Sequence, residues 1–234
     1  MFEYKNIRLI GSSHISEQSI KEVKNSFQNY CPDILAVELD QGRLHALMHK
    51  ERSSKLAILR SVGITGFIFA VIGEAVQKLL GRIVRIDPGE EMLQAIKLAQ
   101  KNKMQIFLID QNIEITLKKF SKRLTWKEKF NFFIDLITGV IPRKEKFEFD
   151  LKKVPSEKLI IKLIGKIKEK YPNMYDVLIH ERNVIMANKL LHLSDRFPEK
   201  KILGVVGAGH LPGIKEIIRN VPTITYSFDF NEKV

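Results

Sequence analysis

Apolar residues run almost without interruption at four places in this chain: residues 7–11, 33–40, 104–110 and 201–207. Runs of that length, bounded by turn residues, predict strands buried on both faces of a parallel sheet. Between them the spacing changes to helical. Ile20, Val23 and Phe27 predict a first helix with Ser16 as its N-cap, and Cys31-Pro32-Asp33 ends it. Asp87-Pro88-Gly89-Glu90 reads as a helix start, with Met92, Leu93, Ile96 and Ala99 as the apolar stripe behind it. Residues 173 to about 193 read as one long helix, on which Val177, Val184 and Leu191 recur every seven positions. A further helix starts near Ile214, and 221–230 reads as a terminal edge strand.

These elements predict an α/β fold: a central, mostly parallel sheet with helices on both faces. A helical insertion occupies roughly residues 41–85 and 112–172. Trp126, Phe130, Phe132, Phe133, Leu136 and Ile137 form its apolar cluster, and Pro142 to Pro155 reads as a loop. At 234 residues the chain reads as one domain, 1–234.

The four strands end in chemistry. Strand one runs into Gly11-Ser-Ser-His14, strand two into Glu38 and Asp40, strand three into Asp110, and strand four into Gly207-Ala-Gly-His210. A parallel sheet lines up its strand ends along one edge, where open α/β folds place ligands. His14, Glu38, Asp110 and His210 are therefore expected to converge. Two imidazoles with one or two carboxylates suit Mn, Co, Zn or Fe, and so small a ligand set leaves positions for water. A nearby Glu could serve as general base and an Arg could stabilise an oxyanion. The plainer reading makes each histidine a helix-capping turn residue and Glu90 part of a capping box. Arg182, next to the apolar stripe of the long helix, needs either a structural partner or a ligand, because an unpaired buried charge is costly. His45 and His49 share a helix face, but no carboxylate motif accompanies them.

Composition narrows the classes. The net charge is +12, with lysines scattered along helical stretches beside acids, which reads as a solvated surface. No nucleic-acid motif or aromatic-studded basic strand is present, so no nucleic acid is expected. The single cysteine, Cys31, excludes an internal disulfide and fits a reducing, cytoplasmic compartment. No signal peptide opens the chain. The apolar run 64–73 is too short to span a bilayer and is a candidate for contact with a membrane surface.

The motifs as a set resemble the TraB/PrgY pheromone-shutdown family. They are Gly-Ser-Ser-His (11–14), Ala-Val-Glu-Leu-Asp with Arg43, Pro-Gly-Glu-Glu-Met (88–92), Asp110 with Ile-Thr-Leu (115–117), Glu-Arg-Asn-x-x-Met-Ala (181–187) and Gly-Ala-Gly-His-Leu-Pro-Gly (207–213). The family is related to the Tiki metalloproteases and, more distantly, to erythromycin esterase-like and ChaN-like proteins. The resemblance implies a metal-dependent hydrolytic site holding Mn, Co or Zn. It implies His14, His210 and Glu38 as metal ligands, and Glu38, Arg182, Asn183 and Arg43 as catalytic residues. Glu90, Asp110 and Glu181 are additional candidates. The turn after strand three reads Asp110-Gln111-Asn112 where the family has Asp-Arg-Asp, and these 234 residues contain no counterpart of the C-terminal transmembrane region of many relatives, as expected of either a naturally short member or a domain cut free. Two functions are expected: a divalent-metal-dependent peptidase or other hydrolase of small molecules, or a protein that sequesters a pheromone-like peptide, a metal or haem. A homo-oligomer fits either.

Overall fold

The structure, a computed structural model, describes residues 1–12, 17–49, 90–138 and 157–220. Five strands form one sheet among them: β1 (Phe2–Tyr4), β2 (Ile7–Ser12), β3 (Ile34–Val37), β4 (Gln105–Leu108) and β5 (Ile202–Gly207). Their order is β1-β2-β5-β3-β4. β2, β5, β3 and β4 are parallel, as the apolar runs predict, and β1 pairs antiparallel with β2. β1 departs from the sequence reading, in which residues 1–5 lead straight into the first strand. Lys5 turns the chain back with a φ of 49°, so Phe2 pairs with Leu9.

The pleat sorts the strand residues between two cores. Ile34, Ala36, Ile202 and Val206 face α8 (Glu181–Arg196) and α9 (Leu211–Asn220). Leu35, Val37, Leu203 and Val205 face α1 (Glu17–Tyr30), α2 (Gln41–His49) and α3 (Glu90–Lys101). Gly204 belongs to the first face. A Cβ there would stand 2.5 Å from Leu9 Cδ1, so the bare backbone makes room for that leucine.

The described helices between β4 and α8 are α4 (Ile113–Arg123), α5 (Trp126–Thr138), α6 (Glu157–Lys170) and α7 (Pro172–Tyr175). They share a separate core built on Phe120, Leu124, Tyr171, Met174 and Val177. The predicted single helix from 173 is interrupted: Asp176–His180 winds as a π-helical turn between α7 and α8. The interruption marks a change of packing partner. Val177 belongs to the insertion core, whereas α8 buries Asn183, Met186, Ala187 and Leu190 toward the sheet. The widened turn resets the helix face between the two, so Val184 and Leu191 are only half-buried. α9 starts at Leu211 rather than near Ile214, because Pro212 is tolerated in a first turn.

Ser16, Asp87, the loop 142–155, the run 64–73 and the strand 221–230 lie outside the described residues. No described helix is long and apolar enough to cross a membrane.

Candidate functional site

Register decides what meets at the sheet edge. Ser12 stands opposite Gly207, and Val37 opposite both Val205 and Leu108. Glu38, Asp110 and the Gly207–His210 turn therefore leave the sheet at one level. The backbone carries the alignment past the strands: Glu38 N–H donates to Val205 O at 3.0 Å, and Ile109 N–H to Val37 O at 3.0 Å.

Glu38 is the hub, with 2% of its surface exposed. Its Oε2 accepts the Gly207 N–H at 2.6 Å, and its Oε1 accepts Arg182 Nη2 at 2.5 Å. His210 Nε2 faces the same Oε1 at 3.3 Å. The other ring nitrogen, Nδ1, lies 2.7 Å from Asn183 Oδ1. An amide oxygen can only accept, so Nδ1 carries its proton there. Nε2 then turns its lone-pair side toward a carboxylate oxygen of Glu38.

Arg182 ties the strand ends together. Its Nε and Nη2 grip Asp110 in a two-point fork, at 2.9 Å to Oδ1 and 2.7 Å to Oδ2. Its Nη1 donates to Leu178 O at 3.2 Å. Burial disfavours the guanidinium charge, but Glu38 and Asp110 outweigh it and hold the Arg182 pKa above its ordinary value. So committed a guanidinium positions Glu38. Arg43 reaches from α2 to the same Asp110 Oδ2 at 3.0 Å.

Asp40 caps α2, its Oδ1 accepting the N–H groups of Gly42 and Arg43. Its Oδ2 is buried and has no hydrogen-bond partner. Burial raises the Asp40 pKa, which the backbone donors and Arg43 only partly counter. Three carboxyl groups, of Glu38, Asp40 and Asp110, thus stand near two guanidinium groups.

The structure brings together Glu38, Arg43, Asp110, Arg182, Asn183 and His210. It takes Glu181 into a different network, bound to Lys119 and Arg123 of α4. His14 and the side chain of Glu90 lie outside the described residues. The neighbouring Glu91 is fully buried and accepts the Ser12 hydroxyl at 3.4 Å. The sequence reading missed it, although position 91 lies one helical turn before Ala95, on the buried face of α3. It also missed Gly213, where a Cβ would stand 2.2 Å from Asn183 Nδ2. Among the described residues, no three His, Cys, Asp or Glu side chains are grouped to hold a metal ion.

A groove of about 510 Å³ opens beside this network. Asn183, Gly209 and Gly213 line one part of it, and Ile161, Ile164 and Ile179 supply apolar wall.

The model of the TraB/PrgY/gumN family matches residues 3–224. An uncharacterized protein of Methanocaldococcus jannaschii is 34% identical over 225 residues, covering 92% of this chain and 54% of that protein. TraB domain-containing proteins of Mus musculus and Homo sapiens are each 25% identical over 235 residues, covering 90% of this chain and 62% of theirs. The chain thus spans a little over half the length of these relatives. Motifs, fold and match agree that the chain belongs to the TraB/PrgY/gumN family.

Proposed function

We propose that this protein is a divalent-metal-dependent hydrolase acting on a peptide-like substrate. One observation carries the reading: His210 Nε2 and Glu38 Oε1 face each other at 3.3 Å, while Asn183 holds the opposite ring nitrogen. Two donors on one zinc-sized ion, each about 2.1 Å from it, stand roughly 3.0–3.4 Å apart. His210 and Glu38 would therefore hold Mn, Co or Zn if it binds, and Asn183 would be the outer partner that such a histidine usually has. His14 is the third donor expected from the sequence.

A bound ion would supply Lewis-acid polarisation of a carbonyl and a water of lowered pKa. The chain's own residues do the rest. Asn183 keeps the proton of His210 on Nδ1. Arg182 and the Gly207 N–H orient Glu38, so that its Oε1 meets Nε2. Asp110 and Arg43 hold Arg182. The groove beside Asn183, with its isoleucine wall, offers space for an apolar side chain of the substrate.

The test is cleavage of a peptide library by protein loaded with Mn²⁺, Co²⁺ or Zn²⁺. Turnover should vanish with chelator and in His14→Ala and His210→Ala. Cleavage that ignores both substitutions would overturn the mechanism. Tight peptide binding without cleavage would assign the protein to sequestration.

A further inference from the structure

The amphipathic pattern of α5 is inverted relative to an ordinary surface helix. Trp126, Phe130 and Ile134 recur every four residues, and 83%, 65% and 40% of their respective surfaces are exposed. Both acids of the helix are buried instead. Glu128 accepts from Thr125 and Asn173, and Asp135 pairs with Lys170 and Tyr171. Phe132 also turns inward, edge-on to the Tyr171 ring. The described charges left outward on α5 and at the end of α4 beside it are cationic, Lys127 and Lys122, whereas Arg123 is taken up by Asp176 and Glu181.

We infer that α5 docks on an anionic phospholipid surface, with Trp126, Phe130 and Ile134 entering the acyl boundary and the flanking cations meeting the headgroups. Large apolar side chains on one face with lysine and arginine beside them are what an interfacial helix requires. Thirteen residues make a helix of about 20 Å, which suits a helix lying flat and is too short to span. The charge argues against a second copy as occupant. Two such faces would set cations against cations in a chain of net charge +12, whereas an anionic bilayer complements them. This surface is distinct from the site around Glu38.

Trp126 is the only tryptophan in the chain, so its emission reports on α5 alone. The experiment titrates the full chain with vesicles of phosphatidylcholine containing about one-third phosphatidylglycerol, and with phosphatidylcholine alone. The anionic vesicles should blue-shift Trp126 emission, shield it from acrylamide and sediment the protein, less strongly as salt rises. Phe130→Ser with Ile134→Ser should weaken partitioning at least about tenfold, with the circular dichroism spectrum unchanged. No co-sedimentation would overturn the inference. So would co-sedimentation with unchanged Trp126 emission, since contact would then lie elsewhere. A blue shift on self-association without lipid would assign the face to a second copy and overturn it equally.

Discussion

His210 Nδ1 and Asn183 Oδ1 stand 2.7 Å apart, although 27 residues separate them in the chain. The contact joins α8 to the turn after β5 and decides which nitrogen of His210 faces Glu38. Asn183→Leu should remove it. A buried ring N–H left without an acceptor costs about 1–3 kcal/mol, to be read from urea unfolding. The ¹⁵N spectrum of His210 should change tautomer, and affinity for Mn²⁺ or Zn²⁺ should fall about 10–100-fold. Unchanged metal affinity would remove Asn183 from the site.

Gly213 is what lets Asn183 approach. A Cβ there would stand 2.2 Å from Asn183 Nδ2 and 3.1 Å from Cγ, too close for the amide to stay. Gly213→Ala should reproduce the tautomer change of Asn183→Leu. Gly209→Ala, whose Cβ meets nothing within 4 Å, should leave the His210 spectrum as it is. Equal effects from both alanines would place the cause in the backbone.

Arg182 and Arg43 both bond Asp110, yet their removal should differ in cost. Arg182→Leu leaves Glu38 and Asp110 buried without their principal cation, a loss of about 3–5 kcal/mol. Arg43 is partly exposed, and Arg43→Ala should cost about 1 kcal/mol or less. Urea midpoints of the two variants decide the order. Equal losses would mean that Asp110, not the buried guanidinium, organises the edge.

Acid should unlock the helical insertion. Burial alone would raise the Glu128 pKa, but donors from Asn173 and Thr125 outweigh it and hold the carboxyl below its ordinary value of 4.5. A depressed folded-state pKa contributes stability above about pH 4.5 and loses it as pH falls through the folded value. The wild-type urea midpoint should therefore drop more steeply below pH 4.5 than that of Glu128→Gln. Parallel curves would show that Glu128 does not carry this linkage.

Metal should stabilise the fold through His210. An ion that binds only the native state at 100 times its Kd contributes about 2.7 kcal/mol. Mn²⁺, Co²⁺ or Zn²⁺ should raise the Tm of the wild type and leave that of His210→Ala nearly unchanged. An equal rise in both would put the ion elsewhere.

The sequence by itself determined the four parallel strands and what stands at their ends. The apolar run Ile34–Val37 is buried on both faces, and a parallel sheet and an aligned edge with Glu38, Asp110 and His210 followed from pattern alone, although the similar run of β4 forms a partly exposed edge strand. The motifs around them carry the family resemblance. Spacing could not say who pairs with whom across that edge. Only the tertiary structure decided that Arg182 grips Glu38 and Asp110, and that Glu181 turns away to Lys119 and Arg123. It also decided that Glu91 is a buried carboxylate and that Gly213 makes room for Asn183. The reason is physical. Periodicity reports which face of a helix is buried, and the π-turn at Asp176–His180 resets that face where the packing partner changes. Partners of buried polar groups are chosen by distances of 2–3 Å between elements far apart in the chain, and local pattern does not encode those distances.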